Sequence, residues 1–209
     1  MANDTLAHTM YRYKMNADEN KVWVDFCTLV DEHCKKMELP AEYEKNVKDH
    51  LVSQSYEFSR GYQSEWGYYE VYDERGNLSI ILTTTSKEDA MWKYLKSITT
   101  EVGLSLELKN RNLTEPLWHY GTQKYDPVLK KWNENPVGWK YDLPYDGRKY
   151  WFAYCICALS KIYDVHDLRM DTYIKECTDY MNRWFYDQHW GFDILQMKFV
   201  ELSHSTKHD

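Results

Sequence analysis

The chain has 209 residues and a net charge of −7, and 43% of its residues are hydrophobic while 28% are charged. This is the composition of an ordinary globular protein that is long enough to bury a core, and it excludes a disordered chain. No segment is strongly basic, which argues against nucleic-acid binding because such binding depends on Lys and Arg neutralising phosphates.

Several features of the sequence bear on location. The N-terminal sequence MANDTLAHTMYRYK has no apolar run, so no signal peptide is predicted. No stretch reaches the roughly 18–20 apolar residues of a membrane span. The cysteines are odd in number, and free thiols are expected in a chain without a secretion signal: Cys27, Cys34, Cys155, Cys157 and Cys177. We therefore expect a cytoplasmic protein.

The first third of the chain predicts two helices. Residues 1–15 lack periodicity and are expected to be loosely held. Asn16 and Glu19 have the spacing of a capping box at the start of a helix, and Pro40 is placed as the first residue of a second helix over about 40–53. The first helix is predicted to share one apolar face, made of Val22, Phe26, Leu29, Val30, Cys34 and Met37.

A β-hairpin core is predicted over residues 67–84. Residues 68–73 are aromatic-rich and favour a strand, and residues 78–84 favour the return strand, with Leu78, Ile80 and Leu82 alternating on one face. Between them lies a turn in which Gly76 and Asn77 are expected to take positive φ. Two strands alone are marginally stable, so the hairpin needs covering helices or another strand from around 56–62.

A capped helix follows the hairpin. The Ser86 hydroxyl is placed as its N-cap, and Glu88 and Asp89 suit the positive end of the helix dipole. Its buried stripe is predicted to be Met91, Tyr94, Leu95, Ile98 and Val102.

The second half of the chain is predicted to be helical. Thr114 with Pro116 and Asp126 with Pro127 mark two helix starts. Apolar periodicity then predicts helices over 148–163 and 168–186, and a last helix that carries Phe192, Leu195, Phe199 and Leu202. With residues 203–209 also loosely ordered, the sequence predicts a single α+β domain over 1–209, mostly helical around a small antiparallel sheet.

No motif for metal or cofactor chemistry is found. The five Cys and eight His do not fall at the ligand spacings of zinc sites. The sequence also lacks a G-x-S-x-G nucleophile elbow and the glycine-rich motifs that bind phosphates. Buried structural thiols are the expected role of the cysteines, and neither a cofactor nor a metal is predicted.

Two groups of charged residues could carry a function. Glu70, Asp73 and Glu74 lie close together, but an acid–base pair needs two carboxyls facing each other across a cleft. Exposed neighbours on a strand and its turn are the simpler interpretation. Glu107 and Arg111 are four residues apart, which on a helix brings them within ion-pair reach.

The order of these elements resembles immunity-protein family 63 of the bacterial polymorphic-toxin systems. The likeness covers roughly Tyr68 to Trp132, in which a hairpin with an ERG turn precedes a capped helix that ends in E-x-x-x-R. The matching residues are Glu74, Arg75, Gly76, Thr84, Asp89, Tyr94, Glu107 and Arg111.

The resemblance implies a cytosolic, non-enzymatic protein that binds and blocks a cognate toxin domain, and many such toxins are basic nucleases. It also implies that Glu74, Arg75 and Gly76 shape the turn, while Glu107 and Arg111 tie the helix to the sheet. The nine Trp and nineteen Tyr suit a protein interface. From composition, the expected contact surface is the loop over 135–147, where aromatics alternate with carboxylates: Trp139, Tyr141, Asp142, Tyr145 and Asp146.

Two other functions stay open at the level of sequence. One is an enzyme of unknown reaction that uses Glu70, Glu74 and Arg75 in a cleft. The other is a general protein-interaction domain with no toxin as its partner.

Overall fold

A computed structural model describes the chain over residues 2–41, 57–110, 118–119, 123–126, 131–134, 148–184 and 189–202. The chain divides into two compact units, Met1–Ile98 and Thr99–Asp209. The expectation of a single domain is not tested by this division and stays a prediction.

The α+β class is confirmed. Across the described residues there are five helices: α1 (Ala2–Tyr11), α2 (Ala17–Lys36), α3 (Lys87–Asn110), α4 (Arg148–Leu159) and α5 (Leu168–Trp184). The strands are all antiparallel and short: β1 (Phe58–Gln63), β2 (Gly67–Glu74), β3 (Asn77–Thr84), β4 (Trp118–His119), β5 (Gln123–Asp126), β6 (Lys131–Glu134), β7 (His189–Asp193) and β8 (Lys198–Leu202).

In the first unit, β2 is the central strand of the sheet β1-β2-β3. Helix α1 covers one face, where Ala7 and Met10 pack with Tyr69 and Val71 of β2. Met10 and Val71 are wholly buried, and burying an apolar side chain of this kind contributes about 1.5–3 kcal/mol. Residues 1–15 were expected to be loosely held, but this packing orders Ala2–Tyr11 as a helix.

The other face of this sheet is covered by α2 and by the first half of α3. The Phe26 ring lies 4.5 Å from the Tyr68 ring and 5.5 Å from the Tyr94 ring, centroid to centroid. Aromatic pairs at such distances add about 0.5–1.5 kcal/mol beyond the area that they bury. The hairpin therefore has helices on both faces, and β1 supplies the third strand that the sequence required.

A β-bulge interrupts the pairing of β2 with β3. Glu70 pairs with Leu82 and Val71 pairs with Ile80, so Ile81 is an extra residue without a register partner in β2. Because the extra residue reverses the alternation of side chains, Leu82 does not continue the face that carries Ile80. The expected single row of Leu78, Ile80 and Leu82 is therefore wrong at Leu82.

In the second unit, α3 and α4 approach each other closely at Gly103. A Cβ atom at Gly103 would lie 2.7 Å from Cδ1 of Trp151 and 3.1 Å from Sγ of Cys155. The indole N–H of Trp151 donates to the Thr100 carbonyl at 3.0 Å, and the Cys155 thiol donates to the Thr99 carbonyl at 3.3 Å. Gly103 therefore permits the helix contact, and the helix runs through it without a break.

The C-terminal segment contradicts the expected last helix. Residues 189–193 and 198–202 form the hairpin β7–β8. Asn182 of α5 holds it on one side, because its side-chain amide donates to the Trp190 carbonyl at 3.1 Å and its Oδ1 accepts from the Trp190 backbone N–H at 2.7 Å. The apolar spacing of 3, 4 and 3 was interpreted as helical, yet the same residues serve as strand and turn positions.

Other predicted helices have mixed outcomes. The two helices predicted over 148–163 and 168–186 are confirmed as α4 and α5, although α4 ends earlier than predicted, at Leu159, and α5 is described only as far as Trp184. The helix start at Asp126 is wrong, because Asp126 ends β5 and Lys131–Glu134 form β6. The helix over about 40–53, the start at Thr114 and the tail over 203–209 lie almost wholly outside the described residues.

Candidate functional site

The tip of the β2–β3 hairpin is a two-residue turn. Glu74 pairs with Asn77 across it, and the residues between them have φ of 54° at Arg75 and 90° at Gly76. Left-handed φ at both central positions is the pattern of a type I′ turn, whose twist matches that of the flanking strands. The Asp73 carboxylate accepts a hydrogen bond from the Gly76 backbone N–H at 2.6 Å and fixes the turn.

This geometry corrects one expectation. Positive φ was predicted for Gly76 and Asn77, but it occurs at Arg75 and Gly76, and Asn77 is already the first residue of β3. The correction follows from the register, because the loop is one residue further toward the N-terminus than the composition indicated. Arg75 thus occupies a left-handed position that Asn, Asp or Gly normally take.

A buried ion pair lies nearer the middle of the sheet. Arg60 of β1 faces Glu70 of β2 in register. Its Nε and Nη2 donate to the same Glu70 oxygen, Oε1, at 2.9 and 2.7 Å, and the side chains are only 5% and 15% exposed. The guanidinium also lies over the Phe58 ring, 4.4 Å from its centroid. The carboxylate of Glu70 therefore has a structural partner within the sheet.

Tyr94 of α3 is buried close to this ion pair. Burial is the main cause that holds the pKa of Tyr94 well above its usual range; the Glu70 carboxylate raises it further, and Arg60 opposes the shift. Tyr94 is therefore neutral at physiological pH, and the charges beside it do not make it an acid or base.

Two more residues of the family pattern join β3 to α3. The Thr84 hydroxyl oxygen accepts from the Ser86 backbone N–H at 3.1 Å, and the Ser86 hydroxyl oxygen accepts from the Asp89 backbone N–H at 3.1 Å. The second bond confirms Ser86 as the N-cap of α3. The predicted buried stripe of this helix is also confirmed. These positions hold the hairpin against its neighbouring helix.

The remaining predicted site residues fall partly outside the described chain. Glu107 is 9% exposed on α3, but its expected partner Arg111 is not among the described residues. The whole expected contact loop also lies outside them: Trp139, Tyr141, Asp142, Tyr145 and Asp146. Their roles stay predictions.

Sequence reasoning missed Arg60, which the structure brings to Glu70. The only signal was a basic residue in the segment 56–62 that was considered as a third strand. Because the pairing partner depends on strand register, no spacing along the chain could identify it. The structure instead separates the proposed cleft residues: Glu70 is held by Arg60, while Glu74 and Arg75 are exposed at the hairpin tip.

A shallow groove lies in the second unit, between α4 and β8. It has a volume of about 310 Å³ and mixes charged with apolar walls: Lys149, Tyr150, Ala153, Lys198, Phe199, Val200 and Glu201. In the described part of the chain, no group of three or more His, Cys, Asp or Glu side chains could hold a metal ion. None of the described helices has the length and apolar character needed to cross a membrane.

The chain matches a known protein family over part of its length. A family model described as Immunity protein 63 matches residues 63–176, which is more than half of the chain. The chain therefore belongs to the immunity-protein 63 family. The matched region includes the hairpin β2–β3, helix α3, the segment around 135–147 and helix α4. No curated protein and no solved structure gives a significant match to the chain.

Proposed function

We propose that this chain is a cytoplasmic immunity protein that binds a cognate toxin domain and neutralises it. Membership of the immunity-protein 63 family carries this proposal. The toxin belongs to a polymorphic system with contact-dependent delivery from a neighbouring cell. A basic nuclease is the proposed class of toxin, because the net charge of −7 favours encounter with a basic partner.

The proposed contact surface includes the loop over 135–147. Its aromatic side chains would anchor the interface, and its carboxylates would face basic groups of the toxin. No observation on the described residues favours either of the two alternative functions. An enzyme that uses Glu70, Glu74 and Arg75 would need them in one cleft, whereas Glu70 is bound to Arg60 and the other two lie at the turn.

Growth during co-expression tests the proposal. The partner is the C-terminal domain encoded immediately upstream of the gene for this chain. We expect that domain alone to stop growth and this protein to restore it through a direct complex. A Trp139→Ala/Asp142→Ala double variant should fold normally and protect less well. Failure of the wild-type chain to protect would refute the immunity function, and full protection by the double variant would refute only the loop assignment.

A further inference from the structure

The side chain of Arg75 is not explained by the fold. Arg75 is exposed and makes no hydrogen bond, ion pair or ring contact with the described part of the chain. Neighbouring Glu74 is exposed as well and forms no ion pair with it. The turn is held instead by the backbone and by the Asp73 carboxylate. The guanidinium therefore contributes nothing visible to the stability of the hairpin.

The backbone conformation at Arg75 is unfavourable for a residue that carries a side chain. Its φ of 54° lies in the left-handed region, which is disfavoured for a residue with a Cβ atom relative to the right-handed region. Asn occupies this turn position more readily because its short polar side chain bonds locally. A residue that is unfavourable in its own turn, and whose side chain has no contact in the described part of the fold, indicates a role in binding another molecule.

The position of Arg75 suits contact with another molecule. A Cβ atom at Gly76 would meet no atom of the described residues within 4 Å, so the described part of the fold leaves the hairpin tip open. The adjoining strand β3 carries no charged residue, so the charges at this end of the hairpin come from Asp73, Glu74 and Arg75, of which Arg75 is the cation. The outward side of the hairpin includes Ile81, which is 48% exposed. Arginine is one of the residue types that are enriched in interface hot spots.

We propose that Arg75 is a toxin-contacting residue whose guanidinium binds a carboxylate on the surface of the toxin domain. This inference rests on the proposed immunity function. It names one residue of the described structure as a contact with the toxin. Guanidinium and carboxylate fit each other through two parallel hydrogen bonds, which adds geometric specificity to the charge attraction. A rigid two-residue turn holds the base of the side chain, so less conformational freedom is lost on binding. A toxin that is basic in total charge still satisfies this contact with one accessible Asp or Glu.

The test compares binding and stability in the same variants. Dissociation constants are measured for a catalytically inactive form of the upstream-encoded domain, and melting temperatures are measured for each variant alone. Arg75→Asn removes the guanidinium while relieving the turn, so we expect an unchanged or higher melting temperature together with affinity weakened by roughly tenfold or more. Arg75→Lys keeps the charge but loses the planar fork, and should lose part of the affinity.

A charge reversal and a matched control complete the experiment. Arg75→Glu should bind most weakly, and its deficit should shrink between about 50 and 300 mM NaCl because salt screens the repulsion. Lys93→Gln removes the same unit of charge from an exposed position on α3 and should bind like the wild type. If Arg75→Asn binds within twofold of the wild-type protein, the contact is refuted while the immunity function stands. If the wild-type protein does not bind the domain, both are refuted.

Discussion

Glu19 is a buried carboxylate with hydrogen bonds to both of its oxygens. Oε2 accepts from the Tyr13 hydroxyl at 2.6 Å and from the Asn16 backbone N–H at 3.1 Å. Oε1 accepts from the backbone N–H and the hydroxyl of Ser64, at 3.1 and 3.2 Å. One side chain thus caps α2 and also joins it to the segment between β1 and β2.

These bonds make Glu19 a source of acid sensitivity. The hydrogen bond from Tyr13, followed by that from the Asn16 backbone, holds the pKa of Glu19 below the usual range of a glutamate. As pH falls below about 4.5, the unfolded chain takes up the proton first. The stability that Glu19 contributes is therefore present above that pH and is lost as pH falls through the folded-state pKa.

We expect Glu19→Gln to lower the melting temperature at pH 7 and to flatten its decline between about pH 5 and 3. The measurement is a melting temperature series across this range. Glu65→Gln is the control, since Glu65 is exposed nearby and its substitution should leave both values unchanged. An equally steep acid decline in wild type and Glu19→Gln would contradict the assignment.

At this scale the sequence predicted local interactions and missed those made across the fold. The capping box of Asn16 and Glu19 is confirmed, because both partners lie within one turn of helix. Tyr13 and Ser64 have no fixed spacing to Glu19 that a helix or strand would impose. Likewise Val22 was assigned to the buried face of α2 but is 37% exposed, since only the tertiary packing decides where that face ends.

At the scale of elements, the Arg60–Glu70 ion pair joins β1 to β2. Removing one partner from a buried pair leaves the other charge without compensation, which costs about 3–5 kcal/mol. We expect Arg60→Met to lower the free energy of unfolding by about that amount. The double variant Arg60→Met/Glu70→Leu should be less destabilised than Arg60→Met, because no charge is then left buried. Urea unfolding at pH 7 measures both.

An exposed pair on α2 provides the comparison. Lys35 and Asp31 form an ion pair at 3.1 Å whose side chains are 58% and 26% exposed. Lys35→Met should cost no more than about 0.5 kcal/mol, because solvent screens such pairs. Equal losses for Arg60→Met and Lys35→Met, or a double variant that is the sum of its single substitutions, would show that the buried pair has no special role.

Elements with strong local signals were predicted well. The hairpin β2–β3, the start of α3 and both helices α4 and α5 carry turn residues, caps or long apolar periodicity. The segment 189–202 failed because Phe192, Leu195, Phe199 and Leu202 satisfy a helical spacing by coincidence. In the structure Leu195 lies in the turn and is 97% exposed, a position that periodicity alone does not distinguish from a core site.

At the scale of the molecule, cysteines are present in both units. All five are free thiols, which confirms that expectation. Cys34 in the first unit and Cys155 and Cys177 in the second are buried, whereas Cys27 and Cys157 are partly exposed, so burial was overestimated for those two. Burial raises the pKa of Cys155 to about 12 and that of Cys27 to about 11, which leaves little reactive thiolate at neutral pH.

These thiols test whether the chain unfolds as one domain. Helix α3 supplies buried residues on both sides of the boundary at residue 98, including Leu95 and Val102. We therefore expect Cys34 and Cys155 to become reactive at the same denaturant concentration, in pulse labelling followed by mass spectrometry. The circular dichroism transition should coincide with both. Two separate midpoints would show that the units unfold independently.

The bulge at Ile81 has a consequence for self-association. Strand β3 lies at one side of its sheet without a charged residue, and among the described residues no strand pairs with its outer side. Edges of this kind are templates for intermolecular strand pairing. The extra residue divides β3 into two short stretches whose side chains are out of phase, so a regular strand cannot follow both at once. The irregularity therefore disfavours the strand addition on which fibril growth depends, as lysines or prolines on edge strands do in other proteins.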